Sequence, residues 1–204
     1  MAFDFSSIIF PKRKIPVHEL KWKLPEGRMV APIEDIEKKM PLIKKQAAFV
    51  FGGEFIEEIH AKEYGEGVYA YFILRTDKKT EKEQLIADAY MLREEEKLGM
   101  DVGSASTVAQ NLETMGYKYA FNRDVTVWSF RMGLITVTAY SIADFGDFIE
   151  VSLPATKLMK QREMDEKKAY LFFEKMGVKK EEVIPTDLIT LQIYSLKQQA
   201  EGQQ

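Results

Sequence analysis

The spacing of apolar residues along the chain predicts an ordered series of strands and helices that begins with a strand. Residues 17–24 read ValHisGluLeuLysTrpLysLeu, where apolar and charged positions alternate as on a strand with one buried face. A ProGluGly turn follows. Pro32 suits the first turn of a helix that continues at helical spacing to Ile43, and Pro41 is expected to kink or divide that helix.

The middle of the chain, residues 47–96, has the pattern of extended structure. The run ValTyrAlaTyrPheIleLeuArg at 68–75 is rich in aromatic and branched residues, which favours a strand. A charged connection at 77–82 leads to a further predicted strand at 85–93, although Ala, Met and Glu in this segment are also compatible with a helix.

Three further strands and three helices are predicted in the second half. The strands are 123–131, 134–140 and 148–153, with a hairpin turn at MetGly, residues 132–133. The first helix begins at the N-cap Ser106 and ends at Gly116, and the second runs from Leu158 to Gly177. The third is capped by Thr186 with Asp187. Runs of strands with few helices between them indicate a mostly antiparallel α+β fold. We assign residues 1–197 to one domain and expect the polar tail 198–204 to be disordered.

Composition removes several classes of chemistry. The 204 residues include no cysteine, which excludes a disulfide framework, a thiolate zinc site and a cysteine nucleophile. With only His18 and His60, a three-histidine metal site is excluded as well. No apolar run approaches the roughly 18–20 residues of a membrane span, and the N-terminus lacks a secretory pattern. We therefore expect a cytoplasmic protein with no membrane partner.

The net charge of −3 conceals a basic region. Residues 11–50 hold ten Lys or Arg and five Asp or Glu. Within it, Glu19, Lys21 and Lys23 share one face of the predicted first strand, about 6.6–6.8 Å apart by strand rise. Two ammonium groups at that spacing could contact successive phosphates, while Glu19 could hold a metal ion. The alternative is the solvated outer face of a half-buried strand.

Four arginines also lie on predicted strands: Arg75, Arg93, Arg123 and Arg131. Arg123 and Arg131 share one face of the predicted strand 123–131. Trp128 and Phe130 lie on its opposite face. If the strands close into a barrel with this face inward, the arginines would require an anionic ligand, because unpaired cations repel one another. An outward face would simply be solvated.

Nucleic acid is a separate candidate partner. Tyr69 and Tyr71 share a strand face, as stacking aromatic residues do in RNA-binding sheets. The ProLysArgLys segment at 11–14 resembles a basic patch for nucleic acid, but a short flexible arm is the favoured interpretation.

Several segments, in order, resemble the CYTH superfamily of triphosphate tunnel enzymes. LeuGluThrMetGlyTyr at 112–117 is similar to the end of a family helix, Arg123 follows where a basic strand pair is expected, and AspPheGlyAspPheIleGlu at 144–150 is similar to the Leu-Gly-x-Phe-x-Glu segment. The resemblance implies an eight-stranded antiparallel sheet closed into a tunnel-like barrel, with flanking and C-terminal helices. Basic residues inside would bind a triphosphate, and acidic residues would bind Mg²⁺ or Mn²⁺.

The resemblance also assigns residues. The opening Glu-x-Glu-x-Lys motif stands here as Glu19-x-Lys21-x-Lys23, and the late Glu-x-Glu as Glu150 followed by Ser152. Each motif thus has one carboxylate fewer, which implies weaker binding of a divalent metal. The implied phosphate contacts are Lys21, Lys23, Arg75, Arg93, Arg123 and Arg131. The implied metal ligands are Glu19 and Glu150, with Glu94 or Glu95 as further candidates.

The implied function is the binding of a triphosphate or polyphosphate, with metal-dependent hydrolysis of a phosphoanhydride if the chain is an enzyme. The alternative is a non-catalytic module that senses a ligand, or binds nucleic acid or protein, and keeps the basic tunnel without the metal chemistry.

Overall fold

A computed structural model describes residues 27–65, 68–88, 99–101, 104–154 and 158–201. The strands are β1 (Arg28–Pro32), β2 (Ala48–Gly65), β3 (Val68–Asp77), β4 (Glu83–Asp88), β5 (Gly99–Asp101), β6 (Lys118–Met132), β7 (Ile135–Ile142) and β8 (Gly146–Ser152). The helices are α1 (Ile36–Gln46), α2 (Ala105–Thr114), α3 (Met159–Lys175) and α4 (Leu188–Glu201).

The strands form one sheet in the order β1-β8-β7-β6-β2-β3-β4-β5, and the pairs β1/β8, β7/β8, β2/β3, β3/β4 and β4/β5 are antiparallel. This confirms the antiparallel α+β class. β1 and β5 lie at the two ends of that order, and no ladder among the described residues joins them. The expected closure into a barrel is therefore not shown, and the strand predicted at 17–24 lies outside the described residues.

Two compact units can be distinguished within the chain. The first unit contains the described residues up to Gly52 and from Val127 onward. The second unit is Gly53–Thr126. β2 and β6 each contribute residues to both units.

The first unit has an apolar face and a polar face on β1, β7 and β8. Alternate residues of these strands, such as Val137 and Ile149, pack against Ile43 of α1 and Phe172 of α3 in one buried cluster. The residues between them face the other way because side chains alternate along a strand. This polar face includes Arg28, Thr136, Thr138, Glu150 and Ser152, which are paired across the three strands.

The second unit is arranged in a similar way around α2. Leu112 of α2 packs with Ala70 of β3, and Phe72 and Leu85 lie against this cluster. The opposite face of β3 carries Ile73 and Arg75, which are paired with Ile59 and Glu57 of β2. Charged side chains are thus set among buried apolar ones on the face that α2 does not cover.

The start of the first helix differs from the prediction. Pro32 is the last residue of β1 and not part of a helical turn. α1 begins at Ile36, after Asp35, whose carboxylate accepts a hydrogen bond from the Lys38 N–H. Pro41 lies inside this one helix and does not divide it. The prediction failed because only four residues, Arg28 to Ala31, separate Gly27 from Pro32, and glycine and proline are both typical of turns.

Two further boundaries also differ. Ser104, not Ser106, is the N-cap of α2, and its hydroxyl accepts a hydrogen bond from the Thr107 N–H. α4 continues to Glu201, so that residues 198–201 of the expected disordered tail are helical.

The second half of the chain follows the prediction more closely. The hairpin between β6 and β7 turns at Gly133. Gly177 follows α3 with a φ of 84°, a conformation that glycine adopts without strain. The Asp187 carboxylate accepts a hydrogen bond from the Thr190 N–H and thereby caps α4. Among the described residues, no helix is long and apolar enough to cross a membrane.

Candidate functional site

The second unit contains a carboxylate held between two guanidinium groups. Glu57 of β2 is directly opposite Arg75 of β3, and Nε of Arg75 donates to Oε1 of Glu57 at 2.7 Å. Arg123 of β6 approaches the other oxygen, with both Nε and Nη2 at 2.6 Å from Oε2. Each guanidinium therefore takes one oxygen of the same carboxylate.

This network is almost completely removed from solvent. The side chain of Glu57 is 0% exposed, that of Arg123 is 4% exposed, and that of Arg75 is 12% exposed. Burial alone would raise the pKa of Glu57, but the charges of Arg123 and Arg75 outweigh burial and hold that pKa below its ordinary value. The ionised carboxylate cancels one of the two cations, which leaves the network with a net charge of +1.

Arg75 is the more accessible of the two arginines and has further neighbours. Its guanidinium carbon lies 4.5 Å from the centre of the Phe55 ring, within the range of a cation–π contact. Gln84 of β4 lies opposite it on the side away from Glu57. The guanidinium is therefore fixed by a ring and a carboxylate while part of its surface faces solvent.

Strand alternation explains why these residues meet. Phe55, Glu57 and Ile59 occupy every second position of β2, so that they share a face, and all three are buried. Sequence reasoning missed Glu57 because it lies within the charged run GluPheIleGluGluIleHis at 54–60. A carboxylate between two apolar residues at i−2 and i+2 was the signal that could have identified it.

The structure brings together only part of the predicted anion site. Arg75 and Arg123 meet at Glu57, whereas Arg131 lies in the first unit with an exposed side chain. The other predicted phosphate contacts and three of the carboxylates lie outside the described residues: Lys21, Lys23, Arg93, Glu19, Glu94 and Glu95.

Glu150, a predicted metal ligand, makes a contact with the last helix. This residue is 4% exposed, and its Oε2 accepts a hydrogen bond from the Leu188 N–H at 2.8 Å. The carboxylate thereby satisfies a backbone donor in the first turn of α4. Within the described ranges, no three His, Asp or Glu side chains lie close enough together to hold a metal ion.

The interpretation of the tyrosine strand as a stacking surface is wrong. Tyr69 is 9% exposed and Tyr71 is 3% exposed, so their rings are not available to bases in solution. His60 is also buried, at 1% exposed, and its Nε2 lies 2.5 Å from Oε1 of Glu58.

Comparison with solved structures shows the fold. A conserved hypothetical protein from Pyrococcus furiosus has a TM-score of 0.59 at 16% identity, over 79% of this chain and 96% of that one. A protein from Pyrococcus horikoshii has a TM-score of 0.59 at 16% identity, over 80% and 96%.

A third structure, described as a "putative adenylate cyclase" from Vibrio parahaemolyticus, has a TM-score of 0.59 at 12% identity, over 82% and 96%. At these identities the likeness shows a shared fold and nothing finer. No family model and no curated protein matches the sequence.

Proposed function

We propose that this chain is a CYTH-like protein that binds a triphosphate or another polyphosphate at the face carrying Arg75 and Arg123. The fold shared with the Vibrio parahaemolyticus protein supports this, because one class of adenylyl cyclases is among the activities that the sequence resemblance implies. The structural observation that carries the proposal is the Arg75–Glu57–Arg123 network with its net positive charge.

The network has the properties that phosphate recognition requires. A guanidinium presents several N–H groups in a planar fork that matches phosphate oxygens. The carboxylate of Glu57 binds Nε and Nη2 of Arg75. The orientation of the planar guanidinium group is therefore fixed before a ligand binds. Arg123 is nearly buried and acts on the ligand through Glu57, whereas Arg75 makes the direct contact.

The remaining cations of the proposed site are residues that the sequence resemblance implies as phosphate contacts. In this proposal Lys21, Lys23 and Arg93 remain the further phosphate contacts that the family resemblance implies. A triphosphate carries several negative charges and would require more than one residual positive charge for tight binding.

Binding without turnover is the form of this function that the carboxylates favour. Hydrolysis would require Mg²⁺ or Mn²⁺ at acidic residues, and Glu150 instead accepts a hydrogen bond from the first residue of α4. Glu19 would be the remaining protein ligand from the predicted pair. A direct assay of phosphate release therefore decides whether the chain is also a metal-dependent hydrolase.

Isothermal titration of the full chain with tripolyphosphate, ATP and orthophosphate tests the proposal. We expect tripolyphosphate to bind more tightly than orthophosphate, with or without Mg²⁺. A parallel assay of phosphate release from tripolyphosphate, ATP and thiamine triphosphate with Mg²⁺ or Mn²⁺ tests turnover. Binding without release supports a sensor, binding with release supports an enzyme, and no binding of any polyphosphate contradicts the proposal.

A further inference from the structure

The beginning of β2 exposes three consecutive apolar side chains. Phe49 and Val50 are each 55% exposed, and Phe51 is 44% exposed. Neighbouring residues of a strand point to opposite faces, and one of the two faces is normally buried. Phe49 and Phe51 therefore share one face of β2, while Val50 lies on the other, and exposed apolar residues grouped on one face mark an interaction surface.

Two aromatic rings at this surface are held in place by their neighbours. The Phe49 ring packs edge-on against Phe130, with 5.6 Å between ring centres and 69° between planes. Gly52 leaves room for a second ring, since a Cβ atom there would lie 3.0 Å from Cδ1 of Trp128 and 3.3 Å from Cε2 of Phe49. The rings of Phe49 and Trp128 therefore lie against bare backbone. We call Phe49, Phe51 and Trp128 the aromatic surface.

Positive charge lies close to the aromatic surface in the sequence and belongs to the same unit. Lys44 and Lys45 are exposed in the last turn of α1. Ala47 ends this helix, and β2 follows directly. Neither lysine has a carboxylate partner in the part of the chain that the structure describes. The segment from Lys44 to Phe51 contains no acidic residue.

We propose that the aromatic surface, together with Lys44 and Lys45, binds single-stranded nucleic acid. Every base has a π-face that stacks on an exposed aromatic ring, and the phosphates between the bases bind lysine. An acidic peptide would pair with the lysines, but its side chains would not stack in succession on the aromatic rings. Rings fixed by Phe130 and by the backbone at Gly52 also suit rigid bases better than a fluid lipid surface.

This surface uses none of the three residues that form the proposed polyphosphate network. Its residues belong to the first unit, whereas Glu57, Arg75 and Arg123 belong to the second. An oligonucleotide without a 5′-triphosphate can therefore test it independently of the polyphosphate proposal.

Fluorescence anisotropy of the full chain with fluorescein-labelled dT20 and rU20, at 50 and 200 mM salt, provides the test. We expect binding that weakens with salt. The double variant Phe49→Ala/Phe51→Ala should weaken binding at least about tenfold, because stacking on each ring contributes to affinity. Lys44→Gln/Lys45→Gln should reduce the slope of log affinity against log salt by about 1.4, since each phosphate contact to a single strand contributes about 0.7.

Controls use exposed residues elsewhere in the first unit. Leu134→Ala and Lys160→Gln/Lys167→Gln likewise remove an exposed apolar side chain and two exposed lysine charges, and they should leave the affinity unchanged. No binding at 50 mM salt, or equal loss in test and control variants, overturns the proposal. Binding of poly-glutamate or of phosphatidylserine vesicles, but not of either oligonucleotide, assigns the surface to a peptide or a membrane and overturns it as well.

Discussion

Nε of Arg123 donates a 2.6 Å hydrogen bond to Oε2 of Glu57, although the two residues are 66 positions apart in the sequence. The contact joins β6 to β2, and Arg75 joins the same carboxylate to β3. One buried glutamate therefore connects three neighbouring strands and orients two arginines. The same residue should thus determine both the stability of the second unit and the geometry of the proposed phosphate contact.

Replacing Glu57 should be much more costly than replacing a surface glutamate. Glu57→Gln leaves two buried guanidinium groups without their counter-charge, and we expect a loss of about 3–5 kcal/mol in the free energy of unfolding. Glu166→Gln is the matched control, because Glu166 pairs with Arg162 on α3 while 40% exposed, and should cost less than about 1 kcal/mol. Urea unfolding measures both. Equal costs would contradict a buried, charge-dependent role for Glu57.

The contribution of Glu57 should depend on pH. Because its pKa is lower in the folded than in the unfolded chain, the stabilisation is fully present above the unfolded value of about 4.3 and is lost as the pH falls through the folded value. The difference in free energy of unfolding between wild type and Glu57→Gln should thus be constant from pH 7 to about pH 5 and shrink below about pH 4. Unfolding curves at several pH values measure it, and a difference that grows on acidification would refute this account.

Glu150 should behave as a helix-capping acceptor. Glu150→Ala leaves the Leu188 N–H without its acceptor in a buried place and should cost about 1–3 kcal/mol. Glu150→Gln keeps an oxygen acceptor and should cost less. Both losses, measured by thermal unfolding, should be the same with and without Mg²⁺. A loss seen only with Mg²⁺ would show instead that the carboxylate binds the metal.

Gly177 should tolerate asparagine better than alanine. Its φ of 84° lies in the left-handed region, and a Cβ there would meet nothing closer than the Lys39 ammonium at 3.6 Å. The cost of Gly177→Ala is therefore conformational and should be about 1–2 kcal/mol, with Gly177→Asn lower. Thermal unfolding compares the two, and an unchanged melting temperature for Gly177→Ala would be inconsistent with the conformation described.

The elements that could be predicted are those whose signals are local. Gly177 after the apolar spacing of α3, Asp187 before α4 and the turn at Gly133 each depend on one or two adjacent residues. β1 was missed because its hydrogen bonds come from β8, more than a hundred residues later. No local pattern in five residues between Gly27 and Ile33 reports that pairing.

The candidate site was predictable only in part for a similar reason. Strand alternation identified the face of β6 that carries Arg123, but it could not show that a carboxylate on β2 is the partner of Arg123. Nor could it show that Glu150 accepts a hydrogen bond from Leu188 at the start of the last helix. Both outcomes depend on which strands and helices meet in three dimensions.

The central claim is that a polyphosphate contacts Arg75, and one comparison tests it most directly. The dissociation constant of tripolyphosphate is measured by calorimetry for wild type, Arg75→Gln and Arg162→Gln, with folding of each confirmed by its melting curve. Arg162 pairs with a glutamate on the surface of α3 and provides a control that removes the same charge. We predict that Arg75→Gln weakens binding roughly 10- to 100-fold, as expected for loss of a charged hydrogen bond, while Arg162→Gln does not. Equal affinities for Arg75→Gln and wild type would contradict the account.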